Sequence, residues 1–171
     1  MQSSRCSRGG RGPSSRRGYG QGEAVILDDS YAELMRIRAP GGRQMDTHEL
    51  RLTPEGTALF TCYPQTVPTD PLGCWRTRNG QALEAIFQEV DLRTAHLLLE
   101  WRSLDHIPVS ESYEPLGEPY DYLHLSSIDV APDGHLLVSA QHACALYKLG
   151  RRTGRVIWAQ AGLPREHGHS G

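Results

Sequence analysis

From residue 24 onward the apolar positions fall in short runs, and where a clear period shows it is two. Ala24–Leu27 and Tyr31–Ile37 are apolar-rich. In Thr47–Leu52, His48, Leu50 and Leu52 share one parity while Glu49 and Arg51 share the other, the signature of a half-buried strand. Thr53–Pro54–Glu55–Gly56 reads as a tight reversal, and Thr57–Tyr63 as the returning strand. Residues 64–82, rich in Pro, Thr and Gly, read as loop. Ala85–Leu92, a turn at Arg93–His96, and Leu97–Ser103 follow. Asp105–Pro119 breaks the pattern, with room for one short helical turn in Pro108–Tyr113 that two flanking prolines limit. Four more strands are predicted: His124–Val130, His135–Gln141, Ala143–Leu149 and Arg155–Ala159. Ala131–Gly134 and Gly150–Gly154 are turns between them.

These eight strands fall into two similar units, 47–102 and 124–160. Each begins with a histidine on its first strand (His48, His124). Each turns on Pro-acid-Gly (Pro54–Gly56, Pro132–Gly134), turns again on Thr plus a small residue, and ends on a strand with a tryptophan (Trp101, Trp158). Four antiparallel strands per repeated unit is the pattern of a β-propeller blade. The predicted fold class is all-β, an incomplete propeller of two four-stranded antiparallel blades. Closed propellers need about four to eight blades. Two therefore imply a piece of a larger ring, or self-association through exposed blade edges.

Composition narrows this picture without naming an activity. The chain has 171 residues, 18 Lys and Arg against 20 Asp and Glu, and a net charge of −2. No apolar run approaches the ~20 residues that cross a bilayer. Eighteen glycines and eleven prolines disfavour a long helical bundle. Charge is unevenly placed. Residues 1–22 carry Arg5, Arg8, Arg11, Arg16 and Arg17 with no acid, whereas the remainder is net acidic, which disfavours a nucleic-acid partner. The Arg/Gly/Ser-rich 1–22 segment lacks an apolar core, so it is expected to be a disordered tail and not a signal peptide. An RNA-contacting arm, from Ser7–Gly12, is the weaker reading. The body of the domain is placed at 24–163 and a second loose tail at 164–171. Compartment is left open.

Four cysteines (Cys6, Cys62, Cys74, Cys144) form no CxxC pair, so no zinc signature is present. They read as free thiols, with a Cys62–Cys74 bridge across the Pro-rich loop as the alternative. His167 and His169, in the C-terminal tail, read as solvent-exposed. No cofactor is called for.

Three stretches resemble the arylsulfotransferase family: Asp46–Leu59 (DTHELRLTPEGTAL), Glu100–Tyr113 (EWRSLDHIPVSESY) and Tyr120–Trp158, within which Tyr120–Lys148 and Arg152–Trp158 match best. The resemblance spans roughly 24–163. It implies a six-bladed propeller and transfer of a sulfuryl group from an aryl sulfate to a phenol through a transiently sulfated histidine. A neutral imidazole is a competent nucleophile near pH 7, and further donors stabilise charge on the sulfuryl oxygens.

By their surrounding motifs His48 and His124 are matched to the family's channel histidines, with sulfate-oxygen contact or proton transfer as the implied role. Ser126 stands where the family has Asn in His-x-Asn-Ser, and Gln141 where it has Arg in Ser-x-Arg. Both are taken as substrate-contacting positions, and at Gln141 a fixed positive charge is lost. The histidine that becomes sulfated would fall beyond residue 163, where Leu163–Gly171 does not match. The expectation is therefore a fragment with impaired or no activity, the alternative being a non-catalytic propeller fragment acting as a binding module. His106 is expected to fix its loop, and His142, by strand parity with Gln141, to face away from the site.

Overall fold

A polar segment can join a sheet, because strand pairing is a backbone affair. The computed structural model describes residues 4–8, 19–68, 81–116 and 120–162, and in it Ser4–Arg8 runs as β1, antiparallel to β2 (Gly22–Leu27). The sequence places these residues in a disordered tail. What the hydropathy pattern misses is the unpaired N–H and C=O row of β2, which accepts a strand whatever its side chains.

β3 (Glu33–Ile37) pairs with β2. It starts two residues later than Tyr31 because Asp28 organises a turn: its carboxylate accepts the N–H groups of Ser30 and Ala32, and Tyr31 is held at φ 66°. β4 (Met45–Leu52), β5 (Thr57–Pro68), β6 (Gln81–Asp91) and β7 (Leu97–Arg102) form a meander in the same seven-stranded sheet. Two single 3-10 turns, Ser103–Asp105 and Val109–Glu111, follow, the second inside the expected helical turn. β8 (Leu125–Val130), β9 (Leu136–Ala140), β10 (Ala145–Leu149) and β11 (Val156–Ala161) make a separate four-stranded antiparallel sheet in the order β11-β10-β9-β8.

The fold is all-β with antiparallel sheets, consistent with an incomplete propeller. Two features differ from the sequence pattern. The first sheet has seven strands, because β1–β3 join the β4–β7 meander. Part of the expected 64–82 loop is strand, since β5 and β6 continue their ladder through Gln65↔Glu84 to Pro68↔Gln81. Backbone pairing between two long neighbours outweighs the local turn composition there. Among the described residues no helix is long and apolar enough to cross a membrane.

The Pro-acid-Gly turns share one geometry. Gly56 donates to the Thr53 carbonyl and Gly134 to the Ala131 carbonyl, with φ 79° and 80°. Only glycine takes that conformation without steric cost.

The main core lies between the sheets. Leu59, Phe87 and Trp101 of the first pack with Ile128, Val138 and Tyr147 of the second, joined by Tyr122 and Leu123 from the segment entering β8. β6 alternates as period two demands, but both of its faces are buried. Ala85 and Phe87 look toward the second sheet; Ile86 and Val90 join a second core with Ala24, Ile26 and Ile37 from β2 and β3. The β2–β3 hairpin thus covers apolar surface that a terminal blade would otherwise expose. Each large side chain buried here stabilises the fold by about 1.5–3 kcal/mol relative to exposure.

Candidate active site

Two irregularities in otherwise regular strands build the site. In β4 the ladder to β5 pairs Met45 with Cys62 and resumes only at Leu50 with Phe60. Asp46–Glu49 bulge out of register, a local kink that re-aims side chains. At the entrance to β8, His124 adopts φ 49°, a left-handed conformation that histidine visits more often than most residues. Two neighbours hold it there: the Gln141 N–H donates to the His124 carbonyl at 2.9 Å, and the His142 N–H to the Leu123 carbonyl at 3.2 Å. β4 and β8 are tied together by Glu49, whose carboxylate accepts the Ile128 N–H at 3.4 Å.

The result brings His48 and His124 together, edge to face, with ring centroids 5.0 Å apart. Each ring is held through Nδ1 by a buried aspartate two or three residues upstream. His48 Nδ1 bonds Asp46, whose other oxygen accepts the Gly20 N–H at 2.8 Å. His124 Nδ1 lies 2.7 Å from Asp121, whose two oxygens accept the Tyr19 hydroxyl at 2.9 and 3.0 Å. A carboxylate can only accept, so each Nδ1 carries a hydrogen, and in the neutral ring the lone pair sits on Nε2. A carboxylate behind an imidazole also fixes the ring's orientation. Asp46 keeps 1% of its side-chain surface and His48 22%, while His124 and Asp121 each keep 8%.

Two further groups complete the cluster. The Tyr19 ring stands 4.6 Å from His124 and 5.5 Å from His48. The His142 ring stands 4.9 Å from His124, and its Nδ1 donates to the Asp121 carbonyl at 2.6 Å. His142 thus faces the site, contrary to its expected parity. Residues 141–144 are a turn, and side chains alternate only along a strand.

Ser126 sits at an irregularity of its own, between the pairs Leu125↔Ala140 and Ser127↔Ser139, and is half-buried. Gln141 is joined to His124 through its backbone, while its side chain is exposed beside an open groove lined by Ala140, Cys144, Leu146 and Ala161. His106 stacks on Trp101 at 5.5 Å and 8°, a structural contact. Cys62 and Cys144 are free thiols, and burial pushes the Cys62 thiol up to about 12 despite the opposing charge of Arg43. Cys74, His167 and His169 lie outside the described residues.

Asp121, His124 and His142 also place one potential metal-ligand atom each within 4.8 Å of the others. Ligands of a tetrahedral zinc stand about 3.3 Å apart. The 2.7 Å between His124 Nδ1 and Asp121 is a hydrogen-bond spacing, and the His142 Nδ1 is committed to a carbonyl. The arrangement is that of a carboxylate-oriented imidazole pair.

Sequence reasoning named both central histidines and missed Asp46, Asp121, Tyr19 and His142. Asp46 and Asp121 were within reach, since both fall inside the matched stretches 46–59 and 120–158. Nothing in an Arg/Gly-rich segment singles out Tyr19.

None of the curated proteins compared matches the chain. A crystal structure of a protein of unknown function from Bacteroides caccae is similar at 16% identity, covering 84% of this chain and 56% of that one with a TM-score of 0.33. The chain thus spans little more than half the length of that protein. The model of the family described as Arylsulfotransferase (ASST) matches residues 10–168, nearly the whole sequence, and the chain belongs to the arylsulfotransferase family.

Proposed function

We propose that the chain acts on an aryl sulfate, holding its sulfuryl group at His48 and His124 for transfer to a phenol. The observation that carries this reading is the pair of imidazoles 5.0 Å apart, each with Nδ1 on a buried aspartate. In its protonated form such a ring donates Nε2–H to a sulfuryl oxygen. In its neutral form the same nitrogen accepts a proton or attacks. One of the two rings protonates the departing aryl oxygen as its bond to sulfur breaks, so that a phenol leaves instead of a phenolate. General acid help of this kind contributes about 10²–10⁴ in rate. Ser126 and Gln141, on the segments flanking His124, contact the substrate at the rim.

The test uses a chromogenic aryl sulfate with phenol as acceptor. Release of the chromophore and formation of phenyl sulfate are expected together. His48→Ala and His124→Ala are each expected to slow both by about a hundredfold or more. An unaltered rate in His124→Ala, or no transfer by the wild-type chain, would end this reading.

A further inference from the structure

Tyr19 is itself a phenol, and it lies at the two imidazoles. Its ring is 4.6 Å from His124 and 5.5 Å from His48, and its hydroxyl donates to both oxygens of the carboxylate that holds His124. Packing alone accounts for an aromatic ring against two others. It does not account for the hydroxyl on Asp121, an 8% exposed carboxylate already engaged by an imidazole. A phenol about to accept a sulfuryl group needs this placement: its oxygen beside the groups that hold the donor, its proton on a base. We propose that Tyr19 is an internal acceptor, converted to tyrosine O-sulfate by the chain's own site. This rests on the sulfuryl-transfer reading above and extends it to a modification site on the chain.

The step balances without a further reagent. A lone pair of the Tyr19 oxygen forms a bond to the sulfur of a bound aryl sulfate. The bond from sulfur to the aryl oxygen breaks, and its electron pair leaves on that oxygen, which takes the Nε2 proton of a protonated His48 or His124. The Tyr19 proton passes to Asp121 and returns through solvent to the imidazole. Sulfur keeps its oxidation state. The sum is aryl sulfate plus tyrosine giving phenol plus tyrosine O-sulfate. Bonds of the same type are broken and made, so the exchange needs no energy input.

The whole chain is incubated with 4-nitrophenyl sulfate alone, and its mass and the peptide containing Tyr19 are followed. A parallel reaction contains phenol. Expected is a gain of up to one sulfuryl group per chain, mapped to Tyr19, absent in Tyr19→Phe and slowed about tenfold or more in His124→Ala. Phenol sulfated while the Tyr19 peptide stays unmodified would overturn this proposal and leave the transfer reading standing, as would an adduct mapped to another residue. If neither phenol nor Tyr19 is sulfated, both readings fall. The wild-type peptide map decides, so the outcome does not depend on how well a variant folds.

Discussion

An imidazole has two nitrogens, and at His48 and His124 one of them is already committed. Asp46 and Asp121 hold the Nδ1 positions, so any chemistry uses Nε2. The aspartates therefore matter as much as the rings, because they choose the tautomer and the direction each ring faces. Asp121→Asn tests this. An amide can present its NH2 group to Nδ1, in which case the neutral ring moves its hydrogen to Nε2 and loses the lone pair there. We expect transfer from the aryl sulfate to phenol to fall by about a hundredfold, with the near-native circular dichroism of a near-isosteric change. A rate within a few-fold of wild type would show that orientation through Nδ1 is unimportant. The histidines were legible because they stand in motifs. Asp46 and Asp121 stand in the same matched stretches, but their pairing with the rings was not readable, since it depends on the bulge at β4 and on the left-handed turn at His124, and neither has a hydropathy signature.

At the scale of elements, the strand positions were readable from period-two alternation and from Pro and Gly in the turns, while the fates of equivalent residues were not. Trp101 and Trp158 occupy matching places in the two units. Trp101 is 1% exposed, stacked on Phe87 at 5.2 Å, and its indole N–H donates to the Gly154 carbonyl at 3.0 Å. Trp158, on the outer strand β11, is 40% exposed. The difference comes from the neighbouring sheet, which a single unit's sequence does not contain. The Thr153–Gly154 turn is what Trp101 docks against, and there a glycine is required twice over. Its φ is 67°, and a Cβ would meet Trp101 and His106 each at 3.0 Å. Gly154→Ala is expected to cost on the order of 2 kcal/mol, from the left-handed conformation and the crowding together. A lower urea midpoint at unchanged slope would report it. An unchanged midpoint would mean that this turn is not fixed against the first sheet.

For the molecule as a whole, the question is what joins the two sheets, and a polar bridge answers part of it. Arg151, in the turn between β10 and β11, reaches across to Glu89 on β6, donating from Nε at 3.0 Å and again through Nη2. Thr57 donates to the same carboxylate at 2.7 Å, and Thr53 bonds Thr57 at 2.7 Å. The alternation of β6 puts Glu89 on the inward face with Phe87, a polar residue in an apolar row, so its partner was invisible until the second sheet was in place. Burial pushes the Glu89 carboxyl up, but the Arg151 and Thr57 hydrogen bonds outweigh it and hold the group below 4.5. The native state therefore binds the proton less tightly than the unfolded chain does. The bridge stabilises fully above pH 4.5, and its contribution is lost as pH falls from there through the lowered native value. Other carboxylates act in the same direction, so the informative quantity is a difference. At pH 7, Glu89→Gln is expected to lower stability by about 2–3 kcal/mol, less than for a fully buried pair because Arg151 keeps 21% of its side-chain surface. Below pH 4.5 that gap should narrow, since acid removes from the wild type the charge the substitution has already removed. Urea midpoints of the two proteins measured from neutral pH downward decide the matter: a gap that stays constant through the acid range would place the sheets' coupling in the apolar core alone.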